Sequence, residues 1–313
     1  VAGQRSGVTI LGIFVADLAF MAARQPAMGE TIIGSGFAIG PGGKGSNQSV
    51  AAARAGAAVR LITRLGDDQF GAMARETWAR AGVEALAAAD PDLPTGAAYI
   101  FVSDLTGDNA IIVTPGAAGA IGAGDVARGA AAIAGSAVFM TQLEQPLAAA
   151  REGLGIARAH GVTTILNPAP AAEVPDAVVA LCDYVTPNET EAAALTGLPV
   201  TTPDEARAAG AALRARGAGC AVITLGAQGA MVCDAAGAPH VPAFRVGAAV
   251  DTAGAGDAFN GGFAAALARG EDRLSAARFG CAVGALSVTR RGTAASMPAL
   301  DEIMALLARE GRN

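Results

Sequence analysis

The sequence predicts an α/β architecture: a Rossmann-like, mostly parallel sheet flanked by helices, with two antiparallel strand segments outside that rhythm. Three observations carry this expectation. Short apolar runs alternate with longer alanine-rich helical stretches, the rhythm of βαβ units. Apolar residues make up 52% of the 313 residues but aromatics only 4%, so the core must be built from Ala, Val, Leu and Ile, which suits close helix-on-sheet packing. Two segments, 31–39 and 97–113, break the rhythm with alternating strand-like patterns that no crossover helix follows at once.

Taken in order, the run 8–15 is apolar and follows Arg5, but it is too short to span a membrane and Asp17 interrupts its extension. It reads as a buried first strand. Further buried strands are expected at 59–63, 137–141, 163–166, 184–186 and 221–225. Helices are expected near 46–56, 68–81, 147–160, 188–196, 203–216, 256–269, 272–289 and 299–309. The second strand-like segment turns at Thr106-Gly107-Asp108-Asn109. No internal repeat or linker divides the chain, so one domain over 1–313 is expected, with excursions at about 16–40 and 96–114.

Composition narrows the function. A net charge of −6 without a basic run excludes nucleic acid as a partner. Cys182, Cys220, Cys233 and Cys281 lack C-x-x-C spacing, which points to reduced core thiols and a cytoplasmic location. Two histidines are too few for a multi-histidine metal site. A third group of residues is more informative. In 251–263, Gly254, Ala255 and Gly256 form a small-residue turn ahead of Asp257 at a helix start. Unpaired amides and the positive helix end suit an anion, and a carboxylate beside it could deprotonate a hydroxyl during phosphoryl transfer. An ordinary glycine-rich helix entry capped by Asp257 accounts for the segment equally well.

Residues 40–48, Gly-Pro-Gly-Gly-Lys-Gly-Ser-Asn-Gln, put a second glycine turn before a helix. Gly40, Gly42 and Gly45 satisfy G-x-G-x-x-G, a pattern that glycine-rich segments produce by chance. The segment is not a P-loop, since Gly45 follows Lys44 and Ala38 stands where the leading glycine belongs. What remains presents Lys44 and Asn47, a pair suited to a polyhydroxylated ligand.

Together these two segments resemble the ribokinase, or PfkB, family of carbohydrate kinases. The resemblance runs the length of the chain through Asp17, Gly66-Asp67-Asp68, Gln142-Leu143-Glu144, Asn167-Pro168-Ala169-Pro170, Thr186 to Glu191, Thr224 to Gly229 and Val288 to Gly292. It implies a ribokinase-like fold with a small β-sheet lid, and transfer of the γ-phosphoryl of ATP to the terminal hydroxymethyl of a small sugar, with Asp257 as base and Gly254 to Gly256 as anion hole. Asp17, Gly43, Lys44, Gly45, Asn47 and Glu144 would bind the sugar. Asn188, Thr224, Leu225, Gly226, Ala227, Gln228, Gly229, Gly256 and Cys281 fall where the family meets nucleotide. Glu191 would organise Mg²⁺, and Asp251, Ala253, Ser287, Arg290, Gly292 and Ser296 would surround an activating K⁺. The family's lid, with its open strand edges, implies a homodimer.

One departure bears on the substrate. Val15 stands where ribose-phosphorylating members carry an Asn, so a hydroxyl there loses its partner, which favours a deoxysugar or another pose. Two alternatives stay open: a non-catalytic sugar or nucleotide sensor of the same fold, and a kinase of another sugar or nucleoside. A nicotinamide-dependent dehydrogenase fits less well, because Arg60 and Arg64 occupy the stretch that should hold an acidic ribose anchor.

Overall fold

The computed structural model describes residues 5–310. The first half of the chain forms β1 (Val8–Leu11), β2 (Val15–Ala22), β3 (Gly36–Gly42), α1 (Lys44–Arg54), β4 (Val59–Gly66), α2 (Gln69–Ala81), β5 (Val83–Asp90), β6 (Thr95–Ser103), β7 (Asn109–Gly116), α3 (Ala123–Gly135), β8 (Val138–Thr141) and α4 (Leu147–Ala159). There follow β9 (Thr163–Leu166), α5 (Asp176–Val179), β10 (Tyr184–Val185), α6 (Glu189–Thr196), α7 (Pro203–Ala215), β11 (Cys220–Thr224), β12 (Ala230–Cys233), β13 (His240–Val241), α8 (Ala255–Ala268), α9 (Arg273–Ser287) and α10 (Leu300–Glu310).

Among the described residues, nine strands form the central sheet in the order β13-β12-β11-β10-β9-β8-β1-β4-β5. All pairs from β11 to β5 are parallel, and only the β11–β12 and β12–β13 pairs at one edge are antiparallel. Buried on both faces, these strands need no polar alternation, which is why β1 reads Val-Thr-Ile-Leu and is wholly buried. Among the described residues, no helix is long and apolar enough to cross a membrane.

The lid is the second sheet, ordered β3-β2-β6-β7. It is mixed: β2 pairs with β3 antiparallel and with β6 parallel, and β6 with β7 antiparallel. Several expectations are corrected here. The apolar run 8–15 is two strands, because the chain leaves the central sheet after Leu11 and re-enters extended structure in the lid at Val15. Asp17 therefore lies within a lid strand instead of following the first core strand. The strand expected at 31–39 runs from Gly36 to Gly42 and leads straight into α1. Strands β5, β12 and β13 and helices α3 and α5 were not expected: β5 is Ala-rich and lacks β-branched residues beyond Val83, and α3 carries three glycines.

Helix α8 lies between α1 and α9, and two adjacent glycines allow it. A Cβ on Gly261 would fall 2.5 Å from the Ala51 Cβ and 2.7 Å from the Gln48 carbonyl oxygen of α1, while one on Gly262 would fall 2.5 Å from a Val283 methyl of α9. Mid-helix glycine costs about 1 kcal/mol against alanine, and here close approach of backbones offsets it. Gly261→Val is expected to lower the unfolding free energy by about 1–3 kcal/mol in urea titrations, the usual cost of overpacking. Gly155→Ala, at a helical position with nothing within 4 Å of the added carbon, is expected to be neutral or to stabilise by up to about 1 kcal/mol.

Candidate active site

The site begins where the lid ends. Gly43 precedes α1 with φ 86°, and a Cβ there would lie 2.7 Å from the Ile13 carbonyl oxygen, so only glycine fits both the turn and the approach to the segment that joins β1 to β2. Without a side-chain cap of its own, α1 takes one from elsewhere: Glu144, just after β8, accepts from the Lys44 backbone N–H at 2.7 Å. That bond fixes the start of α1 over the carboxyl ends of the central strands, where α/β sheets place their ligands.

Asp257 sits in the first turn of α8 and is 7% exposed. Its Oδ2 accepts from Asn47 Nδ2 at 3.0 Å and its Oδ1 from Gln48 Nε2 at 3.0 Å. Asn47 Oδ1 is buried and meets no hydrogen-bond donor in the protein. In the turn ahead of Asp257, Ala255 N donates to the Thr252 carbonyl at 3.2 Å. Among the described residues the N–H groups of Gly254, Gly256 and Asp257 meet no acceptor in the protein. The unpaired amides are thus those three, with Ala255 drawn into the turn. A cavity of about 160 Å³ opens here, lined by Lys44, Asn188, Glu191, Thr224, Thr252, Asn260 and Gly254 to Asp257, among others.

Burial and like charges perturb the titrating groups. Desolvation, reinforced by Asp257, raises the Asp17 carboxyl to about 6. Desolvation likewise raises Glu144 to about 7, with Asp257 and Asp17 adding to it against the pull of Lys44. Glu191 is also raised, chiefly by burial. Burial alone would depress the Lys44 ammonium, but Asp257, Glu144 and Glu191 outweigh it and hold Lys44 above its ordinary value. One lysine is thus shared among several carboxylates, the arrangement of a site built to receive further cations or hydroxyl donors.

Asn188 and Glu191 form a reciprocal cap on α6: Asn188 Oδ1 accepts from Glu191 N at 2.8 Å, and Glu191 Oε2 accepts from Asn188 N at 2.9 Å. The second Glu191 oxygen has no hydrogen-bonding partner among the described residues, and the residue lines the cavity, so a hard cation bridged to phosphate fits the donors present. Thr224 bridges to Asn188 and lines the same cavity. Beyond it, Leu225 is buried, Gly226 to Gln228 form an exposed single turn, and Gly229 closes the loop. Cys281 sits in the apolar core with its thiol pushed up to about 12 by burial.

The segments expected around a monovalent cation do adjoin the turn. Asp251 accepts from Ala253 N and from Gly292 N, both at 2.9 Å, so its carboxylate ties the two loops together. Arg290 is paired with Glu302, Ser287 Oγ donates to the Gly284 carbonyl and Ser296 Oγ to the Thr293 carbonyl. With the side chains engaged, backbone carbonyls are the donors left, a set that suits K⁺ better than a small divalent ion. Asp17 lies on the lid strand with its carboxylate against the Gly42 backbone, where a Cβ would fall 2.2 Å from Oδ1. Val15, two residues before it on the same face of β2, is 3% exposed and packs with Leu11, Ile13 and Ala98.

Sequence reading gave no role to Thr252 and Asn260, and quoted Asn167 and Thr186 only within the segments that follow their strands; all four line the cavity. Asn260 was accessible to it, since it lies three residues beyond Asp257 and so shares its helical face. Thr186 Oγ1 donates to Asn260 Oδ1 at 2.5 Å, and Asn260 Nδ2 to the Gly256 carbonyl at 2.8 Å, which steadies the turn from beneath.

The perturbed Asp17 yields a test. Its proton is held more tightly folded than unfolded, so its ionisation begins to destabilise the fold as pH rises above 3.8, with the full effect above about 6. Asp17→Asn is expected to raise stability at pH 7.5 by about 1–3 kcal/mol. The advantage should shrink as pH falls to 4.5; equal melting-temperature gaps at both values would contradict it.

Comparison with known proteins agrees with this geometry. The model of the pfkB family of carbohydrate kinases matches residues 5–300. A ribokinase of Haemophilus influenzae is 37% identical over 306 residues, 97% of this chain and 99% of that protein. A deoxyribokinase of Salmonella typhi is 36% identical over 94% of this chain and 96% of its own. The structure of Arabidopsis thaliana ribokinase complexed with ribose and ATP superposes with a TM-score of 0.89 at 26% identity, covering 97% of this chain and 99% of that one. A cavity carboxylate at the start of a glycine-led helix, on a nine-stranded sheet beneath a four-stranded lid, together with these matches, establishes that the chain belongs to the pfkB family of carbohydrate kinases.

Proposed function

We propose that the protein is an ATP-dependent kinase that transfers the γ-phosphoryl group to the terminal hydroxymethyl of a small sugar, a pentose or deoxysugar. The observation that carries this reading is the Asp257 carboxylate, held by two amide donors beside unpaired backbone N–H groups in one cavity. Asp257 takes the proton from the attacking hydroxyl as the amides of Gly254, Gly256 and Asp257 receive charge developing on the transferred group. Lys44 faces the same space and offsets that charge. Asn47, Asp17 and Glu144 bind sugar hydroxyls. Asn188 and the Thr224 to Gly229 loop, with Gly256 and Cys281, make up the nucleotide side.

Mg²⁺ held through Glu191 would bridge and neutralise phosphate oxygens. K⁺ among the carbonyls of 251–253 and 287–296 would steady the turn that carries the amides. A wholly buried Val15 on the Asp17 face supports a deoxysugar over ribose, since an unmatched hydroxyl there costs about 1–3 kcal/mol. Four buried, unpaired cysteines support a cytoplasmic location.

The lid's other face supports a homodimer. Phe20, Phe37 and Ile39 are 43%, 54% and 49% exposed on it, and Phe20 packs against Phe37 and Tyr99. Phe37→Glu is expected to convert a dimer to a monomer in sedimentation velocity.

The function is tested by ADP release over ribose, deoxyribose, other pentoses and hexoses, with ATP and Mg²⁺ in K⁺ or Na⁺ buffer. Sugar-dependent turnover, faster in K⁺, is expected. Asp257→Asn should lower kcat at least about 10²-fold with the circular dichroism spectrum unchanged; near-normal turnover would refute the role.

A further inference from the structure

Gln48 is wholly buried and lies outside the cavity wall, yet it touches the carboxylate on which the chemistry depends. A buried amide is costly unless satisfied, and this one is satisfied three times. Its Nε2 donates to Asp257 Oδ1 at 3.0 Å and to Asn167 Oδ1 at 2.9 Å, and its Oε1 accepts from Gln142 Nε2 at 2.6 Å. The direction of this chain is set at its far end. Asn167 Nδ2 donates to the Thr186 backbone carbonyl at 2.9 Å, and a carbonyl can only accept. Asn167 must therefore turn its oxygen to Gln48, and Gln48 must turn its NH₂ to Asn167 and Asp257. A flipped Gln48 would set its oxygen against two acceptors.

The geometry points to Gln48 as a positioning residue for the transfer base: through Asp257, it fixes the carboxylate's rotation so that the unshared lone pairs face the incoming hydroxyl. This rests on the kinase reading above. Asn47 holds one oxygen and Gln48 the other, so neither alone sets the plane of the group. Asn47 keeps an unpartnered side-chain oxygen, whereas both polar side-chain atoms of Gln48 are engaged within the protein. A small misplacement of a reacting group can cost about 10²-fold in rate.

The test compares Gln48→Met, close in volume but without donors, with the unsubstituted enzyme, each also in an Asp257→Ala background. Expected is a 10- to 100-fold fall in kcat, with KM for sugar and ATP within about threefold. Because Gln48 acts through Asp257, the same substitution should cost less than about threefold once Asp257 is gone. A side chain that only filled space would cost the same in both backgrounds. Gln48→Glu, which keeps the shape, serves if the Met variant does not fold, and the same kcat loss is expected of it. Wild-type kcat in the variant that folds, or full additivity with Asp257→Ala, overturns the inference while leaving the kinase reading intact. No sugar-dependent ADP release by the unsubstituted protein overturns that reading and this inference with it.

Discussion

The close approach of α1 to α8 is the constraint on which the site depends. Asn47 and Gln48 reach Asp257 only because Ala51 and Gly261, one helical turn beyond them on each helix, leave no side-chain bulk between the backbones. Both helices start at glycine turns with positive φ, Gly43 and Gly254; Glu144 caps the first amide of α1, whereas the amides of Gly254, Gly256 and Asp257 at the start of α8 stay unpaired. Catalytic geometry here follows from helix packing, and loop detail refines it.

The site carries its charges at a cost to the fold. Asp17, Glu144 and Glu191 are all raised by burial, and the half-buried Lys44 offsets this at Glu144 and Glu191 but not at Asp17. A protein selected for stability alone would replace at least one carboxylate with a neutral group. Their retention fits a pocket whose ligands bring hydroxyl donors and metal, which supply the partners that the free protein lacks.

Much of this was legible in the chain. The parallel core strands and long helices followed from apolar runs and alanine-rich periods, and the 97–113 hairpin from its turn chemistry. Where sequence reading failed, a physical cause is visible. The break after Leu11 escaped notice because Gly12 to Val15 stays apolar: it is buried beneath the lid instead of within the central sheet. Strand β5 was hidden by its alanines, and β13 is only two residues long. Lys44 and Gly254 to Asp257, which line one cavity, stood out in the chain because each follows or forms a glycine turn just ahead of a helix. The Gln142, Gln48 and Asn167 chain was not, since its bonded members stand 94 and 119 residues apart and no local pattern ties them.

Glu144 shows how tightly such a site is bound to its scaffold. One oxygen of its carboxylate caps the start of a helix that begins 100 residues earlier, and the group stands among the charges of the pocket. Replacing it to suit a different acceptor would also release the first turn of α1, and with it the two amides that grip Asp257. Val15, by contrast, caps no helix, so it can vary without loosening a helix end.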